Sequence, residues 1–223
     1  MPNRPPDYEA LIQQKWQENA AEVVSRLDAD DAHLRQKITT YAENFGVDTK
    51  VIISKIRTDQ MFANSFAKDP NKQSLHEHSA AAYISSLQFV SEFQNLPTHG
   101  VKAYYIAEGG EALSGSAKQG TIKTLDFTWK TGKFICYAAH KYIKQTGGAQ
   151  DNQFADILGA LQRWSKGNAQ PHEILFTIVD GPYFTAEKMR QLIQATRLER
   201  PLSFTLPIYD LEIRLKQLHQ LYS

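Results

Sequence analysis

The sequence predicts an α/β chain of the α+β kind, with a mixed central sheet flanked by helices and a helical N-terminal extension. Three observations carry that expectation. Leu11, Ile12, Trp16, Ala20 and Val23 recur at helical spacing, and helical patterning continues to about Phe66. The runs "TIKTLDFTW" (Thr121–Trp129) and "KFICYAAHKYI" (Lys133–Ile143) are rich in β-formers and flank Lys130-Thr131-Gly132, which reads as a hairpin. "EILFTIVD" (Glu173–Asp180) is a continuous apolar run, the mark of a central strand buried on both faces. The 223 residues then divide into a helical region over 1–70 and a core over 71–223.

The elements follow in order. "RLDADDAHLRQKI" breaks the first helix and restarts it, with Asp28 or Asp30 as N-cap. Gly46 ends that segment, and "VDTKVIISKIRTDQMFANSF" is a further helix. "AKDPNKQ" is a loop, and a helix then runs from about Leu75 to Phe93 behind Ser74 as N-cap. "VKAYYIA" (Val101–Ala107) is strand-like, and "EGGEALSGSAKQG" is a long loop. After Gly147-Gly148 a helix spans about Asn152 to Trp164. "TAEKMRQLIQATRL" is a helix capped by Thr185, "LSFTLPIYD" a last strand and "LEIRLKQLHQLY" a closing helix.

Composition excludes several classes. A net charge of +1 argues against a protein that coats nucleic acid indiscriminately, because nonspecific affinity comes from phosphate neutralisation. The single cysteine, Cys136, excludes an internal disulfide and any multi-cysteine zinc site, and implies a reducing cytoplasm. No apolar stretch reaches membrane-spanning length, and the start "MPNRPPDYEA" has no signal-peptide apolar region.

The chemistry concentrates in "KTLDFTWKTGKFICYAAHKYIKQTGGAQDNQ" (Lys123–Gln153). Alternation puts Lys141 on the face of Ile135, Tyr137 and Ala139, and Asp126 on the face of Thr124 and Thr128. Adjacent strands bring such an acid and lysine to one sheet edge, as a surface salt bridge or as a site. A tight turn at Lys130–Gly132 places Asp126 opposite Tyr137, so a bulge is needed for it to reach Ala139. Beyond two glycines stand Gln150, Asp151, Asn152 and Gln153. Such amides pair with adenine edges in the major groove, and an aspartate is a hard oxygen ligand for Mg²⁺. The alternative is a helix start with Asp151 or Asn152 as N-cap.

"TLDFTW…YAAHKYIKQTGGAQDNQ" resembles the active-site stretch of type II restriction endonucleases of the PD-(D/E)xK nuclease superfamily. The resemblance spans roughly Ser74 to Asp156, with the succession helix, strand, hairpin, helix, strand. It makes Asp126 the first acid and Lys141 the lysine. Two departures stand out. Leu125 replaces the proline, and Ala139 occupies the place of the second acid. Some members carry that carboxylate on the following helix, which makes Asp151 the replacement and Asp156 a poorer one. Glu77, in "SLHEHSAAAYI", matches a helix-borne glutamate that supports the metal; it also fits the N3 position of a capping box behind Ser74.

The resemblance implies a Mg²⁺-dependent endonuclease of double-stranded DNA, a homodimer in the cytoplasm of a prokaryotic cell. Asp126 and Asp151 are then metal ligands, and Lys141 assists hydrolysis, with Glu77 in support. Gln150, Asn152 and Gln153, with Lys144 and Lys118, are the DNA-contacting candidates. Residues 8–66 are candidate dimer surface or DNA-embracing arms. The rival expectations are a repair or RNA-processing nuclease of the same superfamily, and a DNA-binding protein on a decayed nuclease fold. His140 faces away from Lys141 and is expected to be structural, and Asp180 is a turn or cap residue.

Overall fold

The computed structural model describes residues 4–70, 74–115, 123–196 and 202–222. The chain forms two compact units, residues 6–76 and residues 77–223 with 1–5. Among the described residues no helix is long and apolar enough to cross a membrane.

The first unit is helical. It comprises α1 (Tyr8–Asp28), α2 (Ala32–Phe45), α3 (Thr49–Thr58) and the short α4 (Gln60–Asn64). Each starts behind an aspartate whose carboxylate accepts a first-turn N–H: Asp7 from Ala10, Asp31 from Leu34, Asp48 from Lys50 and Asp59 from Phe62. The restart residue is therefore Asp31, not Asp28 or Asp30. Asp28 ends α1, and Asp30 takes a left-handed φ of 60° between the helices. Ala20, Val23, Leu34, Ile38, Ile52, Ile56 and Phe66 form one apolar core.

The second unit begins within α5 (Leu75–Ser85). The helix expected to reach Phe93 stops at Ser85, and β1 (Ser91–Asn95) follows. β2 (Tyr104–Ile106), β3 (Ala112–Ser114) and β4 (Lys123–Thr124) make a small antiparallel sheet ordered β3-β2-β4. The run expected as one strand from Thr121 is split at Leu125-Asp126; Thr121 and Ile122 lie outside the described residues. Its second part is β5 (Phe127–Thr131), paired antiparallel with β1 and with β6 (Phe134–Tyr142). α6 (Gly148–Lys166) then crosses over to β7 (Glu173–Asp180), parallel to β6. α7 (Ala186–Gln194) leads to β8 (Leu202–Leu206), parallel to β7, and α8 (Leu211–Tyr222) closes the fold.

The main sheet has the order β1-β5-β6-β7-β8. β7 is buried at all eight positions, because helices cover both faces. On one face Tyr137, Ala139, Leu175 and Val179 meet Ile157, Leu161 and Trp164 of α6 and Leu192 of α7. On the other lie Phe127, Trp129, Cys136, Ala138, Phe176 and Ile178, all buried. Arg214 of α8 sits over Phe204 on that side, 4.7 Å from the ring centroid.

Because β6, β7 and β8 run parallel, their C-terminal ends lie at one edge of the sheet. The antiparallel β5 begins at the same edge. Chain direction alone therefore gathers Asp126, Lys141 and Asp180 there, at the usual ligand edge of open α/β sheets.

Candidate active site

The hairpin turn sets the register. Its loop is Gly132-Lys133, flanked by the Thr131–Phe134 pair, rather than Lys130–Gly132. Gly132 takes a φ of 56°, as two-residue hairpin loops require. This shifts the pairing so that Phe127 faces Ala138. Asp126 itself lies before the first paired residue; its backbone N–H donates to the carbonyl of Ala138, the residue that Phe127 already faces, so two residues meet one there, the pattern of the expected bulge. Opposite residues of an antiparallel pair share a face, as do residues two apart in a strand. Ala139 and Lys141 therefore lie on one face of β6.

Asp126 completes the ladder where β5 begins, through both backbone and side chain. Its N–H donates to the Ala138 carbonyl at 2.8 Å, and its Oδ2 accepts from the His140 N–H at 2.7 Å. No described donor reaches its Oδ1. Ala139 is 5% exposed in the core against α6, so the place of the second acid is apolar and closed.

Lys141 is half-buried beside Val179 of β7. Among the described residues no carboxylate or carbonyl accepts from its ammonium, and it makes no salt bridge with Asp126. That removes the cross-strand salt bridge as an account of the pair. A cation without a protein acceptor at a sheet edge is suited to an anionic ligand.

Asp151 lies in the first turn of α6. The helix starts earlier than expected, at Gly148, with Gly147 as N-cap and no side-chain cap. Asp151 and Asn152 are thus inside the helix and cap nothing. The Asp151 Oδ1 accepts from the Tyr183 hydroxyl at 2.6 Å and from Lys188 Nζ at 3.1 Å. Lys188 also donates to the Tyr183 hydroxyl at 2.7 Å and lies 3.9 Å from the centroid of its ring. The Tyr183 hydrogen bond, then the Lys188 ammonium, hold the Asp151 carboxyl below its ordinary range. Its other oxygen has no described donor. Among the described residues no hydrogen bond or ion pair joins Asp151 to Asp126.

Gly181 makes this cluster possible. It follows β7 with a φ of 99°, and a Cβ there would stand 2.4 Å from the Ile143 carbonyl oxygen. The close approach lets the Tyr183 N–H donate to that oxygen at 3.2 Å. The loop after β7 is thereby tied to the loop after β6, with Tyr183 against Phe154 of α6.

The remaining candidates scatter more widely. Gln150 is half-buried, and Asn152 and Gln153 are exposed, all on the first turns of α6 rather than on a loop. Lys144 is exposed beyond the end of β6, and Asp156 is exposed one turn along α6. Glu77 lies in the first turn of α5. Ser74, its expected capping-box partner, has a φ of 53°, left-handed where an N-cap is extended. Lys118 lies outside the described residues. Cys136 is fully buried, and burial pushes its thiol up to about 12, so it is no nucleophile.

His140 does face away from Lys141. It is buried with its Nε2 3.8 Å from Asp180 Oδ2. The Asp180 Oδ1 accepts from the Ile208 N–H at 3.1 Å, while burial raises its carboxyl to about 6. Tyr183 and Lys188 were not among the sequence candidates. They lie 32 and 37 residues from Asp151, and no local motif marks them. A signal did exist in "DGPYF": a glycine directly after the central strand, with a tyrosine two residues on, at the ligand edge.

Comparison of the chain with protein-family models, with curated proteins and with solved structures gives no significant match in any of the three.

Proposed function

We propose that this chain is a Mg²⁺-dependent, sequence-specific endonuclease of double-stranded DNA, of the type II restriction kind and the PD-(D/E)xK superfamily. One observation carries the reading. Lys141 presents a half-buried ammonium, without a described acceptor, two residues beyond the Ala139 position of the family's second acid, on the strand whose His140 N–H donates to the Asp126 carboxylate. The succession α5, β1, hairpin β5–β6, α6, β7 supports it, since it is the one the resemblance implies.

The carboxylates suit the metal. Asp126 and Asp151 each keep one oxygen without a described donor, and carboxylate oxygen is the donor type Mg²⁺ prefers. Among the described residues no three His, Cys, Asp or Glu side chains form a ready cluster, so phosphate and water oxygens would complete the shell. Bound there, Mg²⁺ would polarise the scissile phosphate and make a water acidic enough to attack near neutral pH. The protein's own part follows from position. Lys141 neutralises charge growing on the phosphate and orients the attacking water. Tyr183 and Lys188 fix the Asp151 carboxylate, and the amides of α6 with Lys144 contact the duplex. A homodimer would match a two-fold site.

A second reading has its own observation. Ala139 is closed into the core without a carboxylate, which fits a DNA-binding protein that has lost catalysis. One experiment separates the two. The purified protein is incubated with a long mixed-sequence duplex, with Mg²⁺ or with EDTA, beside Lys141→Ala. Discrete fragments with Mg²⁺ only, lost in the variant, establish the site-specific enzyme. A smear points to a less specific nuclease of the superfamily. Intact DNA with tight binding favours the decayed fold.

A further inference from the structure

We infer that a basic cleft inside the helical unit binds the sugar-phosphate backbone of duplex DNA. The cleft encloses about 450 Å³, and its charged lining is Lys15, Arg26, Lys37 and Lys68 against a single acid, Glu22. That imbalance runs against the unit as a whole. Between residues 6 and 76 there are nine Lys/Arg and eleven Asp/Glu. A unit with excess acid therefore concentrates four cations around one concavity.

The fold explains how. Lys15, Asn19, Glu22 and Arg26 fall on one face of α1, at spacings of four, three and four residues. The Asn19 side chain is buried and donates to the Lys68 carbonyl at 2.9 Å, fixing the segment after α4 across the cleft. Lys37 enters from α2 and donates to the Phe66 carbonyl at 3.4 Å, a long bond that a stronger acceptor displaces. Lys68 has a contact of its own, and Lys15 and Arg26 have present partners in Glu18 and Asp31. Those pairs are solvent-accessible and hold little energy, so exchange for phosphate oxygens is easy. Along α1, Lys15 and Arg26 are about 16 Å apart, the axial length of roughly five base pairs. A phosphate backbone fits that spread; one small anion does not use it.

This inference rests on the reading of the chain as a DNA enzyme, but its test is separate. Binding of the full-length protein to a fluorescein-labelled mixed-sequence duplex is followed by anisotropy in EDTA, across a salt series. Lys37→Gln/Lys68→Gln is expected to lower the slope of log K against log salt by about 1.8, and affinity near 0.1 M salt roughly sixtyfold. Both lysines are exposed, so the fold is not at stake. Glu22→Gln gives an opposite arm, with tighter binding than the parent. Wild-type slope and affinity in both variants overturn the inference. So does inorganic phosphate binding that the double variant abolishes while duplex binding is unchanged, because the cleft is then a small-anion site. Loss of slope in a protein that never cleaves DNA leaves the cleft standing and removes the nuclease reading alone.

Discussion

The two faces of β6 differ sharply over three consecutive residues. On one lie Ala139 and Lys141, the latter beside Val179. On the other, His140 and Asp180 are buried together at 4% and 9% exposure. The His140 side is sealed, with one Asp180 oxygen tied to the Ile208 N–H. The Lys141 side leaves an ammonium without a described acceptor. A sealed polar pair serves the fold, since removing one partner would leave the other buried and unmatched. An unmatched cation at the ligand edge serves the solvent side. The period of two in a strand lets neighbouring residues do these unlike jobs.

The sharpest way to break the contrast is Lys141→Ala. On the proposed nuclease reading, cleavage should fall by about three orders of magnitude, the scale of losing one charge-stabilising group, while duplex affinity holds. Stability in urea should move by less than about 0.5 kcal/mol, because the ammonium supports no described contact. A variant that unfolds instead would make Lys141 structural and erase the distinction.

The next effect belongs to the sealed side. Asp180 has a carboxyl raised to about 6 by burial, against 3.8 when free. The folded chain therefore binds the extra proton between those values. Its contribution to stability is full below about pH 4 and is lost as pH rises through 6. The amplitude is up to about 3 kcal/mol, reduced when a protonated His140 favours the carboxylate. Urea titrations from pH 4 to 7 should show that slope in the parent and not in Asp180→Asn; parallel curves would refute it.

Gly181 joins the two sides, since it links Asp180 to Tyr183. Gly181→Ala should cost about 2 kcal/mol, from the strained φ and the clash with the Ile143 carbonyl. It should also loosen Asp151, so cleavage should fall further than stability alone explains. The mildest change is Tyr183→Phe, which removes one hydrogen bond to Asp151. A loss of about tenfold in cleavage is expected, on the scale of a single bond to a charged group. An unchanged rate would take Asp151 out of the site.

How much of this could be read from residues alone depends on the range of the forces involved. β7 was plain, because an eight-residue apolar run has few other fates. α7 was plain from Thr185, whose hydroxyl caps it. β1 was hidden. "SEFQN" is an edge strand with only Phe93 half-buried, so alternation has no amplitude, and helical patterning runs on through it. Asp126 and Lys141 could be read as spatial neighbours because a hairpin brings near residues together. The Tyr183–Lys188–Asp151 cluster could not, because it depends on how a helix returns over a sheet. Glu77 was readable as a residue of the first helical turn, but Ser74 adopts a backbone that no local pattern announces.

The two-residue loop at Gly132-Lys133 works as a spacer of fixed length. The acid and the lysine are mounted on separate rails, and the loop, with the bulge at Asp126, sets how far one has travelled along the other. One added residue would turn Asp126 to the wrong side of the sheet, and two would carry it past its partner position. Every side chain of the site would survive such a change, roughly 20 Å away, and the site would not. Insertions at this loop, more than substitutions, are where the chain's chemistry is most easily disarmed.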